Sequence, residues 1–249
     1  MSPEPFPQPP PSPATPGPKQ GKAFVSIVGQ ILRGFGWAVF GCWVLFMVLQ
    51  ILSAFLPRHA SETARKAQAK SDCAQICTAI NAYHTEYGHY PLGAQGESAG
   101  DGHPDILFGG ASGNSNTAVF DILRNIDSTG KTPAGQPNKD NPRAIVFFDG
   151  KTASDPSAPR AGFVPEGAKK GTVGAYMDPW GYEYGIIMDA GNKNQITNLP
   201  YADFQGPANG PHVPVAVFSL GKDGVVGSKS TNYRYRLGDT FSDDIISWQ

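Results

Sequence analysis

From Gly34 to Pro57 the chain reads "GFGWAVFGCWVLFMVLQILSAFLP", without one charged residue. No other feature constrains the fold as strongly. A helix needs about 20 predominantly apolar residues to cross the hydrocarbon of a bilayer, and this run supplies them, with Trp37 and Trp43 placed near an interface. A helix that is apolar on every side has no natural place in a modest water-soluble domain, where one face must meet water. The run is too long for a secretory signal, and no A-x-A-like cleavage site follows it. Lys19, Lys22 and Arg33 precede it and Arg58, Arg65, Lys66 and Lys70 follow it, so the distribution of basic residues does not orient it. Three segments result: a Pro-rich, disordered leader at 1–33, a transmembrane helix at 34–57, and a folded domain at 58–249.

The helix is expected to continue beyond the apolar run. Cys73, Ile76, Cys77, Ile80, Tyr83 and Tyr87 share one helical face, with Asp72, Gln75, Asn81 and Thr85 off it. Gly88 is a natural terminator and Pro91 forbids continuation. One helix from about residue 36 to about residue 87 is predicted, with a bend at Pro57. After it, "TAVFDILRNI" (117–126) reads as a short helix, and "AIVFFDG" (144–150), "YEYGIIMD" (182–189) and "VPVAVFSLG" (213–221) read as strands closed by Gly or Asp. The stretches 93–116 and 151–175 read as surface loops. The fold class is therefore α+β: a long N-terminal helix, half transmembrane and half amphipathic, packed on a small antiparallel sheet with large loops.

The formal net charge of -1 leaves no footprint for a nucleic-acid partner. The chain has no G-x-S-x-G, P-loop, H-E-x-x-H or C-x-x-C, so no enzyme is expected. His84, Glu86 and His89 in "YHTEYGHYP" could be imagined as zinc ligands, but their spacing is not an established zinc pattern and an exposed polar helix end explains them. Ser219 and His212 could be imagined as nucleophile and base, yet nothing in the sequence brings them together. Of the three cysteines, Cys42 lies in the apolar run, and Cys73 and Cys77 read as packing residues. The C-terminus, "FSDDIISWQ", poses a sharper question: it sets Asp243 and Asp244 directly before Ile245, Ile246 and Trp248. Two like charges beside large apolar residues need either solvent or a positive partner.

The amphipathic helix ending "INAYHTEYGHYP", then "DPWGYEYGI" (178–186), then "VFSLGKDGVVGS" (217–228) followed by "SDDIISW" (242–248), taken in that order, resemble the major pseudopilin of the bacterial type II secretion system, in the type IV pilin-like superfamily. The resemblance implies a pilin-like fold and a single-pass inner-membrane protein with its globular domain in the periplasm. It implies a structural role: self-association into a pseudopilus, with other secretion-machine subunits as partners and a prepilin peptidase acting on the leader. It also implies calcium bound by the C-terminal loop, with the Leu220 carbonyl and the carboxylates of Asp223, Asp243 and Asp244 as ligands. The alternatives are a solvated acidic lip, neutralisation by Arg234 or Arg236, or exchange of one ligand for Asp239, because "GSKSTNYRYRLGDTF" lengthens the link that the family keeps short. Gly34 and Phe35 stand where the family is processed. Val39 occupies the position of the family's acid, and the leader is long and Pro-rich. Both departures favour a second reading, a permanently anchored periplasmic binding module on the same fold.

Overall fold

The computed structural model describes the backbone of residues 21–110, 112–127, 137–227 and 232–249; side chains are described within these segments except at 21–42, 49, 51–60, 97 and 98. Residues 1–20 of the expected leader at 1–33, and the side chains of Gly34, Phe35, Val39 and Pro57, lie outside the described set, whereas residues 21–33, expected to be disordered, are the first turns of a helix. The chain divides into two compact units, Met1–His59 and Ala60–Gln249. Helix α1 spans Gly21–Tyr87. In the first unit, Trp43, Val44, Leu45, Phe46, Met47 and Val48 are all exposed. Among the described residues no helix is long and apolar enough to cross a membrane, but most side chains of the expected span 34–57 are not among them.

In the second unit, α1 presents Ala69, Cys73, Ile76, Ile80 and Tyr83 at the helical spacing of three and four, and all five are buried. Full burial of side chains the size of Ile76 and Ile80 contributes about 1.5–3 kcal/mol each. The helix closes at Gly88, whose φ of +75° no side chain adopts readily and whose N–H reaches back to the His84 carbonyl at 2.8 Å. Cys73 and Cys77 are free thiols, packed as apolar residues. Asp72 is buried beside them and accepts a 2.8 Å hydrogen bond from the Tyr184 hydroxyl; burial raises its pKa above the usual carboxylate value.

The sheet has four strands, all antiparallel: β1 (Ile106–Phe108), β4 (Gly185–Met188), β5 (Val215–Ser219) and β8 (Ile245–Ile246), in the order β1-β4-β5-β8. Two small ladders stand beside it: β2 (Gly162–Phe163) with β3 (Tyr176–Met177), and β6 (Arg236–Leu237) with β7 (Thr240–Phe241). Successive side chains leave a strand on opposite faces, and here both faces are dry. Ile106, Phe108, Ile186, Met188, Val215 and Val217 join the α1 face in one cluster. Leu107, Ile187, Ala216, Phe218 and Ile246 point the other way, into a back layer built from loops by Ile196, Leu199, Tyr201, Phe204 and Trp248. Two buried faces explain why β4 and β5 read as unbroken apolar runs and not as alternating ones.

The expected helix at 117–126 is α2, Thr117–Arg124, which buries Val119, Phe120, Ile122 and Leu123 and ends on Asn125 in the left-handed region. The expected strand at 144–150 is not one. That segment joins no ladder; its Phe147 N–H donates to the Leu123 carbonyl at 2.8 Å, one of the carbonyls the end of α2 leaves without a helical partner. Phe148 packs with Phe120, Phe163 and Tyr176, while Val146 faces solvent. An apolar run here caps a helix and completes an aromatic cluster. Conversely, the stretches expected to be only surface loops contain β1 and β2, the latter pairing with β3 just beyond them.

Candidate metal centre

The end of β5 runs into a turn that is forced by close approaches. Gly221 has φ +65°, and a Cβ on it would lie 2.6 Å from the Asp243 carbonyl oxygen. Gly224 has φ +68°, and a Cβ there would strike the Tyr182 ring at 2.2 Å. Only glycine fits both the dihedral and the space. The turn is therefore pressed between Tyr182 on one side and the C-terminal tail on the other. β8 holds the tail through Phe218↔Ile246 and Ser219↔Ile245, and the Ser247 N–H donates to the Val217 carbonyl at 2.9 Å.

This geometry brings Asp223, Asp243 and Asp244 together: one carboxylate oxygen from each lies within 4.8 Å of the others. Asp243 Oδ2 accepts the backbone N–H of Lys222 at 2.6 Å and of Asp223 at 3.2 Å. Asp223 Oδ1 accepts from Val225 at 2.9 Å, and Asp244 Oδ2 accepts from Gly227 at 2.9 Å. Asp223 is exposed, Asp243 half-buried, and Asp244 only 3% exposed. Asp244 Oδ1 is buried without a well-aligned hydrogen-bond partner. Burial, reinforced by the neighbouring charges of Asp243 and Asp223, pushes the Asp244 carboxyl up to about 6.

An orphaned carboxylate oxygen in the interior is costly unless something partners it. The donors gathered here are all oxygens, the set that suits a hard cation such as calcium, which takes about six to eight oxygen ligands. Leu220 buries its side chain in the back layer, so its backbone carbonyl is the only group it can offer. These residues fit an ion. Of the alternatives, Arg236 directs its Nε to the Gly238 carbonyl at 2.7 Å and its guanidinium over Phe241, and Asp239 lies exposed in the β6–β7 turn, outside the triad. Residues 228–231 of the lengthened link lie outside the described set.

The other sequence candidates are not assembled into sites. His84 stacks on Tyr90, Glu86 pairs with Arg143, and His89 packs against Tyr83 with its Nδ1 3.1 Å from the Tyr90 carbonyl oxygen, which accepts its proton. Among the described residues, the three aspartates form the sole metal-competent group of His, Cys, Asp and Glu. The Ser219 hydroxyl donates to Asp178 Oδ2 at 2.6 Å, and His212 is exposed. The sequence pattern alone did not single out Asp178, the first residue of "DPWGYEYGI". That buried carboxylate accepts the N–H groups of Trp180, Gly181 and Tyr182 on Oδ1, at 2.9, 2.8 and 2.9 Å. The Asp before Pro in a turn was a signal available for it. Trp180 in turn donates its indole N–H to Glu62 on α1 at 3.2 Å.

Residues 58–141 match the model of a family described as a protein of unknown function, DUF1559. The match takes in the second part of α1, β1 and α2, and leaves β2–β8 and the acidic centre beyond it. No curated protein and no solved structure matches the chain.

Proposed function

We propose that this chain is a structural, pseudopilin-like subunit of a type II secretion or related pilus-type machine. It is anchored in the inner membrane by its N-terminal helix, its domain lies in the periplasm, and it assembles with other copies through that helix. The observation that carries the reading is the convergence of Asp223, Asp243 and Asp244 at the end of a small antiparallel sheet that packs on the N-terminal helix. A domain of this plan works by packing and needs no catalytic group, which accords with a Ser219 hydroxyl engaged with Asp178 and histidines engaged with aromatic rings. Calcium is the ion proposed for the centre. Its charge would offset the repulsion among the acids and fix the tail to the turn. Magnesium would substitute poorly, because it demands a tighter octahedral site.

A second reading, the permanently anchored binding module, is favoured by Val39 and by the long Pro-rich leader. The N-terminal residue of the protein isolated from membranes separates the two. Phe35 at the N-terminus, with helix-to-helix crosslinks between copies, supports the assembling subunit; an intact Met1 or Ser2 and no crosslinked ladder refutes it. The ion is tested apart from this by thermal melts with millimolar Ca²⁺ and with excess chelator at fixed ionic strength. Calcium at a hundredfold its dissociation constant adds about 2.7 kcal/mol, and Asp223→Ala and Asp244→Ala each abolish the rise. A melt indifferent to chelator sinks the calcium reading.

A further inference from the structure

The Asp244 carboxylate is not the only buried polar group at the acidic centre. The Tyr201 hydroxyl and Asp244 Oδ1 are both buried and meet no well-aligned partner, yet the two interact with each other as a side-chain hydrogen-bonded pair. The ring of Tyr201 is 0% exposed, and Asp244 is the strongest charged influence on its hydroxyl. A buried hydroxyl aimed at a carboxylate that also faces two other acids is placed to hold that carboxylate toward them.

Tyr201 is also held rigidly. It comes from the back layer between β4 and β5, a segment that shares no sequence motif with the acids. Asp105 pins the start of that segment, accepting the Thr197 and Asn198 N–H groups at 2.7 and 3.1 Å and Lys193 Nζ at 2.6 Å. The Ile196 N–H donates to the Pro211 carbonyl at 3.1 Å. The ring packs edge-on against Phe218 and Trp248. The two residues after Tyr201 grip the β6–β7 hairpin. The Ala202 N–H donates to the Tyr233 carbonyl at 3.1 Å, and Asp203 accepts the N–H groups of Tyr235 and Arg236, each at 3.0 Å. The far side of the hairpin is tied beside the acids, where the Ser242 N–H donates to the Tyr235 carbonyl at 2.9 Å. The hairpin itself carries Leu237 and Phe241 in solvent and buries little of its own surface, so it depends on these attachments for order.

We propose that Tyr201 is a positioning residue of the acidic centre: its hydroxyl donates a hydrogen bond into the cation site, and through Ala202 and Asp203 it couples occupancy of that site to the order of the β6–β7 hairpin. The inference rests on the metal reading above. It makes the ion a clamp on three segments, the 220–227 turn, the C-terminal tail and the back layer.

The test uses the full chain in detergent, with Ca²⁺ binding followed by calorimetry and backbone order by hydrogen exchange. Tyr201→Phe removes the hydroxyl and keeps the ring. The expected result is affinity about tenfold weaker than wild type, or 1.4 kcal/mol, with an ion-free melt close to that of wild type, because the ring packing is kept and the lost hydroxyl was poorly aligned with Asp244. Calcium slows exchange of the Tyr235 and Arg236 amides in wild type and does so less in the variant. Unchanged affinity in Tyr201→Phe, with binding abolished by Asp223→Ala, overturns the inference and leaves the metal reading standing. A variant whose ion-free melt falls while its affinity holds also overturns it, since the residue is then only packing. Absence of binding in the wild type overturns both.

Discussion

Asp178 offers a separation of what a buried carboxylate contributes by charge from what it contributes by shape. Four donors converge on it: the N–H groups of Trp180, Gly181 and Tyr182, and the Ser219 hydroxyl. Burial nevertheless outweighs these bonds, and the pKa lies above the ordinary carboxylate value. The site therefore favours the neutral form more than water does. Asp178→Ala removes all four acceptor contacts, and at about 1 kcal/mol per hydrogen bond the loss is about 4 kcal/mol. For a domain of this size each kcal/mol moves the melting temperature by about 2–4 °C, so the fall is on the order of 10 °C. Asp178→Asn keeps the oxygen that serves the three N–H groups and turns an NH₂ toward Ser219, whose hydroxyl already accepts from Gly221 at 3.1 Å. The hydroxyl proton then needs a new acceptor, at a cost of about 1 kcal/mol, and the lost charge offsets part of it. The Asn variant should thus melt within about 3 °C of wild type at pH 7. Melts followed in the near-ultraviolet, where Trp180 reports the turn, decide the matter. An Asn variant as unstable as the Ala variant refutes the reasoning, because the ionised charge and not the acceptor geometry would then hold the turn.

Two further outcomes follow from the packing. Gly185→Ala places a Cβ 2.2–2.6 Å from the ring of Phe218, which is wholly buried; the overpacking should cost about 1–3 kcal/mol in a denaturant titration, and Phe218→Leu in the same chain should recover part of it. Asp121 on α2 is pushed up to about 7 by burial, more than Arg124 lowers it. A carboxyl raised in the folded state favours folding most below its unfolded pKa and loses that contribution as pH rises toward about 7, so the chain should be more stable near pH 5 than near pH 8, and Asp121→Asn should flatten that slope.

Much of the helical part was written locally. The face Cys73–Ile76–Ile80–Tyr83 and the stop at Gly88 and Pro91 are patterns of spacing and backbone preference within one segment, and α1 ends at Tyr87 where they predict. The same holds for α2 and for the apolar centres of β4 and β5. Asp243 and Asp244 were also visible, because like charges beside Ile245, Ile246 and Trp248 pose a problem that any reader of the sequence meets, whereas Asp223 entered only through the resemblance. What the sequence could not decide was partnership. "AIVFFDG" has the composition of a strand, yet strand pairing needs a free edge in register, and α2 offered instead an unpaired carbonyl and an aromatic cluster. β2–β3 and β6–β7 are two residues long, too short to leave a periodic trace. The Gly-, Pro- and Asn-rich stretch after β4 looks like solvent-facing loop, yet it covers the back of the sheet and delivers Tyr201 to Asp244, because a second apolar face demanded a cover and only a distant segment could supply it. Asp178 and Tyr201 acquire their roles from burial, and burial is a property of what the rest of the chain places around a residue, which only the tertiary structure decides.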